Sequence, residues 1–453
     1  MGKFFGTDGV RGVANRDITP ELAFALGRAG AYVLARKIAA PKILVAKDSR
    51  LSGDMLEAAL TAGLCSIGAQ VYHAGVIPTP AVAYLVRKHN FAAGVMISAS
   101  HNPMIDNGIK FFSSQGFKIP DALEDEIEAI MEKNPPANDN LPRPVGMDVG
   151  GIQNAPDSGS DYADFVLSTV PDLKLNGMKI VIDCANGATS FVAPAVFEKL
   201  GAEIIVTHNT PNGQNINENC GSTHMESLAE KVKETGANIG IAFDGDGDRM
   251  LAVCEKGEMI DGDAILAVCG LDMRKRGVLK NDAIAATVMS NQGFEVFCRE
   301  NNIKLLRAAV GDRYVLEKML AENYNLGGEQ CGHIIFLDHN TTGDGILTAL
   351  QLLAVMSRAK TSLSLLAGVV ETFPQVLVNA KVANTRKPEF ETHPEIKKAQ
   401  AEIEAALAGE GRILVRPSGT EPLVRVMIEG RDKARIEAMA GKLAAVIEQR
   451  LAN

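Results

Sequence analysis

Three times along this chain a short apolar run, a helical stretch and a second apolar run follow one another, and this repetition most limits the possible fold. The first unit reads Lys42-Ile43-Leu44-Val45-Ala46 and returns at Gln70-Val71-Tyr72. The second reads Lys179-Ile180-Val181-Ile182 and returns at Glu203-Ile204-Ile205-Val206. The third reads Ala283-Ile284-Ala285-Ala286-Thr287-Val288 and returns at Ile303-Lys304-Leu305-Leu306. Such alternation specifies α/β layering. Each unit then reaches a strand ending in a polar loop: Ser98–Asn102, Asp244–Arg249 and Gly328–His333. No residue-level identity links the units. Structural repeats nevertheless bring equivalent loops together, so a shared cleft is expected.

At 453 residues the chain is too long for one core. The Pro-, Asn-, Asp- and Gly-rich stretch 133–160 reads as a linker. Arg249–Gly262 reads as strand, Glu-Lys-Gly turn and strand, which sets a boundary near Gly257, and Phe373-Pro374 opens a last domain. The expected fold is α/β: three similar mixed α/β domains around a central cleft (1–155, 156–257, 258–370) plus a smaller C-terminal α+β domain (371–453). The first helix should start at N-cap Thr19 with Pro20 at N1 and end at Pro41. The last should start at Asp432 and bury Ile436, Met439, Leu443, Val446 and Ile447 on one face.

A net charge of −9 excludes a nucleic-acid partner, which would leave a basic footprint. It does not exclude a phosphorylated ligand, which a few local Arg and Lys suffice to hold. No apolar run reaches the roughly 20 residues that span a bilayer, so no membrane partner is expected. Leu22–Ala40, broken by Arg28 and Arg36, and Ile346–Met356 read as buried helices. Met1–Phe5 lacks the apolar stretch of a signal peptide, and Gly6 stands where a myristoylation signal needs Ser or Thr. Seven Cys, odd in number and without C-x-x-C pairs, suit reduced cytoplasmic thiols, with Cys184 and Cys269 as small core residues.

The sharpest motif is Asp244-Gly245-Asp246-Gly247-Asp248-Arg249, which follows the apolar run Ile239–Phe243. Carboxylates at alternate positions of an extended segment point the same way. Three converging negative charges need a cation between them, and oxygen ligands favour Mg²⁺. An EF-hand loop fails, because Arg249 stands where that loop needs Gly and a strand precedes it where a helix should. Ser98-Ala99-Ser100-His101-Asn102-Pro103 exposes a serine in a turn at a strand end. A Ser beside a His alone is more often an ordinary turn, and no G-x-S-x-G elbow supports a hydrolase.

These two runs together resemble the α-D-phosphohexomutase superfamily. Three further stretches agree: Phe5-Gly6-Thr7-Asp8-Gly9-Val10-Arg11-Gly12, Gly328-Glu329-Gln330-Cys331-Gly332-His333, and Arg416-Pro417-Ser418-Gly419-Thr420-Glu421-Pro422. The five motifs run in the family's order from residue 5 to residue 425.

The resemblance implies that Ser100 is phosphorylated in the resting enzyme. Its phosphoryl oxygen would complete one Mg²⁺ site per active site with Asp244, Asp246 and Asp248. It implies transfer through a sugar bisphosphate, with a sugar 1,6-bisphosphate as priming activator. Arg11 and Arg249 would assist, and Lys110 and His101, with His333 as a third, are candidate acid–base groups. Glu329, Cys331 and His333 would grip the sugar. The family usually has Ser at Cys331, and a thiol is a weaker donor. Arg416, Ser418, Gly419, Thr420 and Arg425 would hold the substrate's phosphate on a last domain that closes over the serine. The opening and the Gly-Glu-Gln-x-Gly-His loop imply glucosamine 6-phosphate and glucosamine 1-phosphate as the pair interconverted, on the route to UDP-N-acetylglucosamine. Phosphomannomutase or phosphoglucomutase activity is the near alternative. A catalytically dead sugar-phosphate binding protein and a metal phosphatase are further ones. A homodimer is what the family leads one to expect.

Overall fold

The apolar runs become strands because both of their faces can be buried, as parallel strands sandwiched between helices require. The computed structural model describes residues 4–6, 8–133, 140–407, 409–418 and 422–451. A first sheet contains β1 (Phe5–Gly6), β2 (Gly9–Val13), β3 (Lys42–Lys47), β4 (Gln70–Val76), β5 (Ala93–Ile97), β6 (Asp106–Ser113) and β7 (Ile152–Asn154), in the order β1-β2-β6-β5-β3-β4-β7. A second contains β8 (Lys179–Asp183), β9 (Glu203–Thr207), β10 (Ile239–Phe243), β11 (Met250–Cys254) and β12 (Met259–Ile260), in the order β12-β11-β10-β8-β9. A third contains β13 (Ala283–Thr287), β14 (Lys304–Ala308), β15 (Leu326–Gly328) and β16 (Ile334–Phe336), in the order β14-β13-β15-β16.

The three sheets share one plan. In each, the first strand of the repeat (β3, β8, β13) lies between the second and third and parallel to both. A fourth strand (β6, β11, β16) then pairs antiparallel with the third. The threefold pattern of the sequence is therefore a repeat of topology. The three polar loops occupy one equivalent place, the crossing from the third strand to the fourth. That place is the C-terminal edge of the parallel strands, where α/β sheets bind ligands.

Residues 1–289 and 303–369 form one compact unit, and residues 290–302 and 370–453 form another. In the second unit, β17 (Gln375–Lys381), β18 (Gly411–Pro417) and β19 (Leu423–Gly430) make an antiparallel sheet in the order β17-β19-β18. Helix Pro394–Leu407 and helix Lys433–Arg450 cover it, with Ile396, Ile403, Val426, Ile428, Ile436, Leu443 and Ile447 in the core. Asp432 caps the last helix by accepting from Arg435 N, while Met439 and Val446 are only partly buried at the margin of the core. The short helix Gln292–Glu300 also belongs to this unit, with Asn291 Nδ2 donating to Phe373 O (3.0 Å) and Gln292 N to Glu429 (2.9 Å).

Two local expectations need correction. The first helix, capped by Thr19, spans Pro20–Ala35 and does not run on to Pro41. Residues 36–40 are all exposed, so no apolar face holds a further turn. The stretch 133–160 is not linker throughout. Residues 152–154 pair parallel with the open edge of β4, which would otherwise present unpaired backbone groups. Cys184 and Cys269 are buried as expected. Among the described residues no helix is long and apolar enough to cross a membrane.

Within the first unit, helix Asp121–Lys133 meets helix Asp312–Glu322 through Glu124, which accepts from Arg313 at 3.3 Å. Burial, reinforced by Asp121 and only partly opposed by Arg313, pushes the Glu124 carboxyl from 4.5 up to about 7. The fold thus favours the protonated acid, a contribution present below the ordinary carboxyl value and lost as pH rises through about 7. Glu124→Gln should therefore raise Tm over wild type by roughly 1–3 °C near pH 8.5, and the difference should shrink toward pH 5. Paired thermal melts at the two pH values check this.

Candidate active site

Ser100 lies in the turn between β5 and β6, 1% exposed, with φ at 53°. A left-handed backbone costs a non-glycine residue on the order of 1–2 kcal/mol, so the surroundings must hold it. A buried guanidinium does so. Arg50 donates to the carbonyl oxygens of Ser100 (2.9 Å), Asn102 (2.8 Å), Asp106 (3.0 Å) and Pro103, and pairs with Asp48 at 2.8 Å. Asn217 Nδ2 donates to Ser100 O (2.9 Å) and Asn102 O (3.0 Å). Ser98 Oγ accepts from Ser100 N (2.9 Å) and donates to Asp48 (2.6 Å).

The acidic motif stands directly opposite. Ser100 Oγ donates to Asp244 Oδ2 at 2.5 Å. The carboxylates do not converge through alternation along an extended strand, as the spacing suggested. Residues 244–249 form a turn after β10, bent at Gly247 (φ 70°). At Gly245 a Cβ would lie 2.6 Å from Ser100 O, so only glycine lets the turn approach the serine loop this closely. Asp246 Oδ2 accepts from Thr79 Oγ1 (2.6 Å) and Lys110 Nζ (2.8 Å).

One ligand oxygen from each of Asp244, Asp246 and Asp248 lies within 4.8 Å of the others, and all three residues are buried. Asp246 Oδ1 and Asp248 Oδ1 are buried with no hydrogen-bond partner. Burial, with the charges of Asp248 and Asp246, pushes the Asp244 carboxyl well above its usual range. Burial acts on Asp248 too, but His333, Lys110 and Arg249 overcome it and hold that group far below. Buried carboxylate oxygens without donors are costly, and a hard divalent cation among them would satisfy them, so this donor set fits a metal ion. A second cluster, Asp183, His208 and Cys220, also lies within 4.8 Å, but its carboxylate already has donors in the protein. Asp183 accepts from Ala185 N (2.8 Å) and Gly221 N (3.0 Å) and lies 3.0 Å from His208 Nδ1, and burial pushes the Cys220 thiol up to about 12.

The remaining candidates of the first unit gather around these two loops. His101 Nδ1 lies 3.4 Å from Ser100 Oγ, and burial, aided by Arg249 and Arg11, holds its imidazole down at about 4. Lys110, on β6, is 1% exposed and no surface lysine; Asp246 and Asp8 (3.1 Å) more than offset its burial and raise its ammonium. Arg11, on β2, pairs with Asp8, and its Nε is buried without a partner. Arg249 donates its backbone N–H to Asp244 Oδ1 at 3.1 Å, and its Nε is 3.8 Å from Asp248. His333 turns Nδ1 toward Asp248 (3.6 Å) while Nε2 accepts from Gly343 N (3.0 Å). Burial lowers this imidazole and Asp248 and Asp312 raise it more, yet the Gly343 N–H aimed at Nε2 favours the tautomer protonated on Nδ1. Glu329 accepts from Gly311 N (3.2 Å), and Cys331 donates its S–H to Glu329 at 3.8 Å. Burial pushes that thiol up to about 11, so Cys331 stays a neutral donor beside Glu329.

In the C-terminal unit, Arg416 and Arg425 stand opposite each other across β18 and β19. Ser418 N donates to Leu423 O (2.9 Å), and Lys387 Nζ donates to Ser418 O (2.6 Å). Gly419 and Thr420 lie outside the described residues, as does Thr7 of the opening motif. Sequence reasoning missed Asp48, Arg50, Thr79, Asn217, Lys118, Asp312 and Lys387. A signal existed for Asp48, Arg50 and Thr79, which follow the C-terminal ends of β3 and β4 at the ligand-binding edge.

The chain matches the four domains of the family described as phosphoglucomutase/phosphomannomutase: α/β/α domain I over residues 2–138, domain II over 160–257, domain III over 261–373 and the C-terminal domain over 377–446. It is 56% identical over 451 residues to the phosphoglucosamine mutase of Thermoanaerobacter sp. (strain X514), covering 100% of both chains. It is 54% identical over 453 residues to that of Acetivibrio thermocellus, again covering 100% of both. A crystal structure of a phosphoglucomutase/phosphomannomutase family protein from Burkholderia thailandensis superposes with a TM-score of 0.79 at 24% identity, covering 99% of this chain and 98% of that one. That of Aspergillus fumigatus N-acetylphosphoglucosamine mutase, in complex with GlcNAc-6P and magnesium, gives a TM-score of 0.66 at 16% identity, covering 99% and 96%. Sequence, fold and loop geometry thus agree that the chain belongs to the phosphoglucosamine mutases of the α-D-phosphohexomutase superfamily.

Proposed function

We propose that this chain interconverts glucosamine 6-phosphate and glucosamine 1-phosphate through a phosphorylated Ser100 and a sugar bisphosphate, in the cytoplasm and toward UDP-N-acetylglucosamine. The observation that carries the reading is the 2.5 Å approach of Ser100 Oγ to a buried carboxylate trio that still has unpaired oxygens. The full-length relatives favour glucosamine phosphate over the mannose and glucose phosphates of the wider family.

Asp244, Asp246 and Asp248, with a phosphoryl oxygen on Ser100, would hold the ion, which we take to be Mg²⁺. When bound, it neutralises charge on the phosphoryl oxygens. The protein's own residues do the rest by placement, since phosphoryl transfer needs alignment and charge more than covalent help. Arg50 and Asn217 keep the serine loop from yielding when the sugar hydroxyl attacks. Arg11 and Arg249 add positive charge near the serine turn, where both act on His101. The attacking hydroxyl must lose a proton, and the serine oxygen must regain one when it leaves. Lys110, His101 and His333 are our candidates for those two proton transfers, and His101 Nδ1 lies 3.4 Å from Ser100 Oγ. Glu329 would hold ring hydroxyls with Cys331 beside it. Arg416, Ser418, Gly419, Thr420 and Arg425 would hold the phosphate that is not being transferred. On this reading residues 1–155 supply the serine, 156–257 the metal site, 258–370 the sugar loop and 371–453 the phosphate loop. We expect a homodimer in solution.

Ser100→Ala should lower turnover of glucosamine phosphate by at least about a thousandfold, while Tm shifts by only about a few degrees from the lost hydrogen bond to Asp244. Turnover equal to wild type would sink the assignment. Assays on glucose 1-phosphate and mannose 1-phosphate beside glucosamine 1-phosphate separate this reading from its relatives in the superfamily. Mg²⁺ at about a hundred times its Kd should stabilise wild type by about 2.7 kcal/mol. The gain should vanish in Asp246→Asn. Calorimetry with and without the ion measures both.

A further inference from the structure

Lys118 lies outside every motif the reaction uses, yet it sits between two part-buried carboxylates that lead to the site. It follows β6 and bridges back to Phe112. Its Nζ donates to Asp8 Oδ1 and to Asp312 Oδ2, both at 2.5 Å. Burial would lower the ammonium, but Asp312 and Asp8 raise it far more, so it stays charged.

Each carboxylate leads on to functional machinery. The other oxygen of Asp8 takes Lys110 Nζ (3.1 Å) and Arg11, so the orientation of Lys110 depends on where Asp8 is held. Asp312 opens helix Asp312–Glu322 and lies 3.5 Å from His333 Nε2. Its neighbour Gly311 donates its N–H to Glu329 at 3.2 Å. One ammonium therefore joins Asp8, beside β2 of the first sheet, to Asp312, which precedes the sugar loop of the third. Without it, two carboxylates would face each other with no cation between them. They would part by repulsion or take up water, and each would carry its partner with it.

We propose that Lys118 is a positioning residue for the phosphoryl transfer. It would fix Lys110 through Asp8 and the sugar loop through Asp312, in register with each other. This rests on the mutase reading above. It assigns Lys118 no contact with substrate.

The test is steady-state turnover of glucosamine 1-phosphate by wild type, Lys118→Met, Asp312→Asn and the double variant, with a thermal melt of each. A displacement near 1 Å costs on the order of a hundredfold in rate. Lys118→Met should thus lower kcat by roughly 30- to 100-fold while KM stays within about threefold. Asp312→Asn keeps the side chain's shape and removes its charge, so it carries the test even if Lys118→Met fails to fold. It should lose kcat at least about tenfold. The double variant should be no slower than the worse single, because both act through one link. A kcat within about twofold of wild type in either single variant overturns the proposal, as does a loss seen only as a rise in KM, or losses that multiply. Wild type inactive on glucosamine phosphate but active on another sugar phosphate would overturn the substrate assignment alone, and the variants would then be compared on that sugar. Wild type inactive on every sugar phosphate would overturn both.

Discussion

Three carboxylates buried at the end of one strand form the constraint around which the first unit is organised. Taking such charges out of water is costly, and their mutual repulsion adds to it. The protein offsets part of the cost with its own donors. Thr79 and Lys110 serve Asp246, Ser100 and the Arg249 backbone serve Asp244, and His333 faces Asp248. Asp246 Oδ1 and Asp248 Oδ1 remain without a hydrogen-bond donor.

The same economy governs the serine. Its left-handed backbone is unfavourable alone, and a single guanidinium engaging four carbonyl oxygens of its loop makes the conformation the best available. Arg50 is itself fully buried and affordable only because Asp48 neutralises it at 2.8 Å. Rigidity at Ser100 thus comes from charges two steps removed from any substrate. In phosphoryl transfer that rigidity is chemically useful, since in-line geometry is most of what the protein contributes.

Topology explains how these groups meet. The three sheets repeat one plan, and each contributes the loop from its third strand to its antiparallel fourth. The loops are a serine turn, a carboxylate turn and a Glu-Cys-His turn at one equivalent place in the three sheets. Backbone bonds tie them together: Met250 N donates to Gly332 O at 3.0 Å, and Gly345 N donates to Gly247 O at 3.0 Å. The positions of Asp244 and His333 are therefore coupled through main chain as well as side chain.

Short-range chemistry was written plainly in the chain. The alternating runs specified α/β layers, Thr19 and Asp432 marked helix starts, and DGDGDR marked the carboxylates, because each signal lies within a few consecutive residues, while Ser100 stood out only through the family resemblance of five motifs together. Strand alternation misled on how the carboxylates converge, since a turn bent at Gly247 aims them. Nothing local marks Arg50 as the clamp of a loop fifty residues away, or pairs Lys118 with Asp312 across 194 positions. A long-range polar contact has no period and no motif. Its partners become neighbours only when separate sheets bring their strand ends together, so the sequence determined which groups could react, and the tertiary structure decided which charges hold them in place.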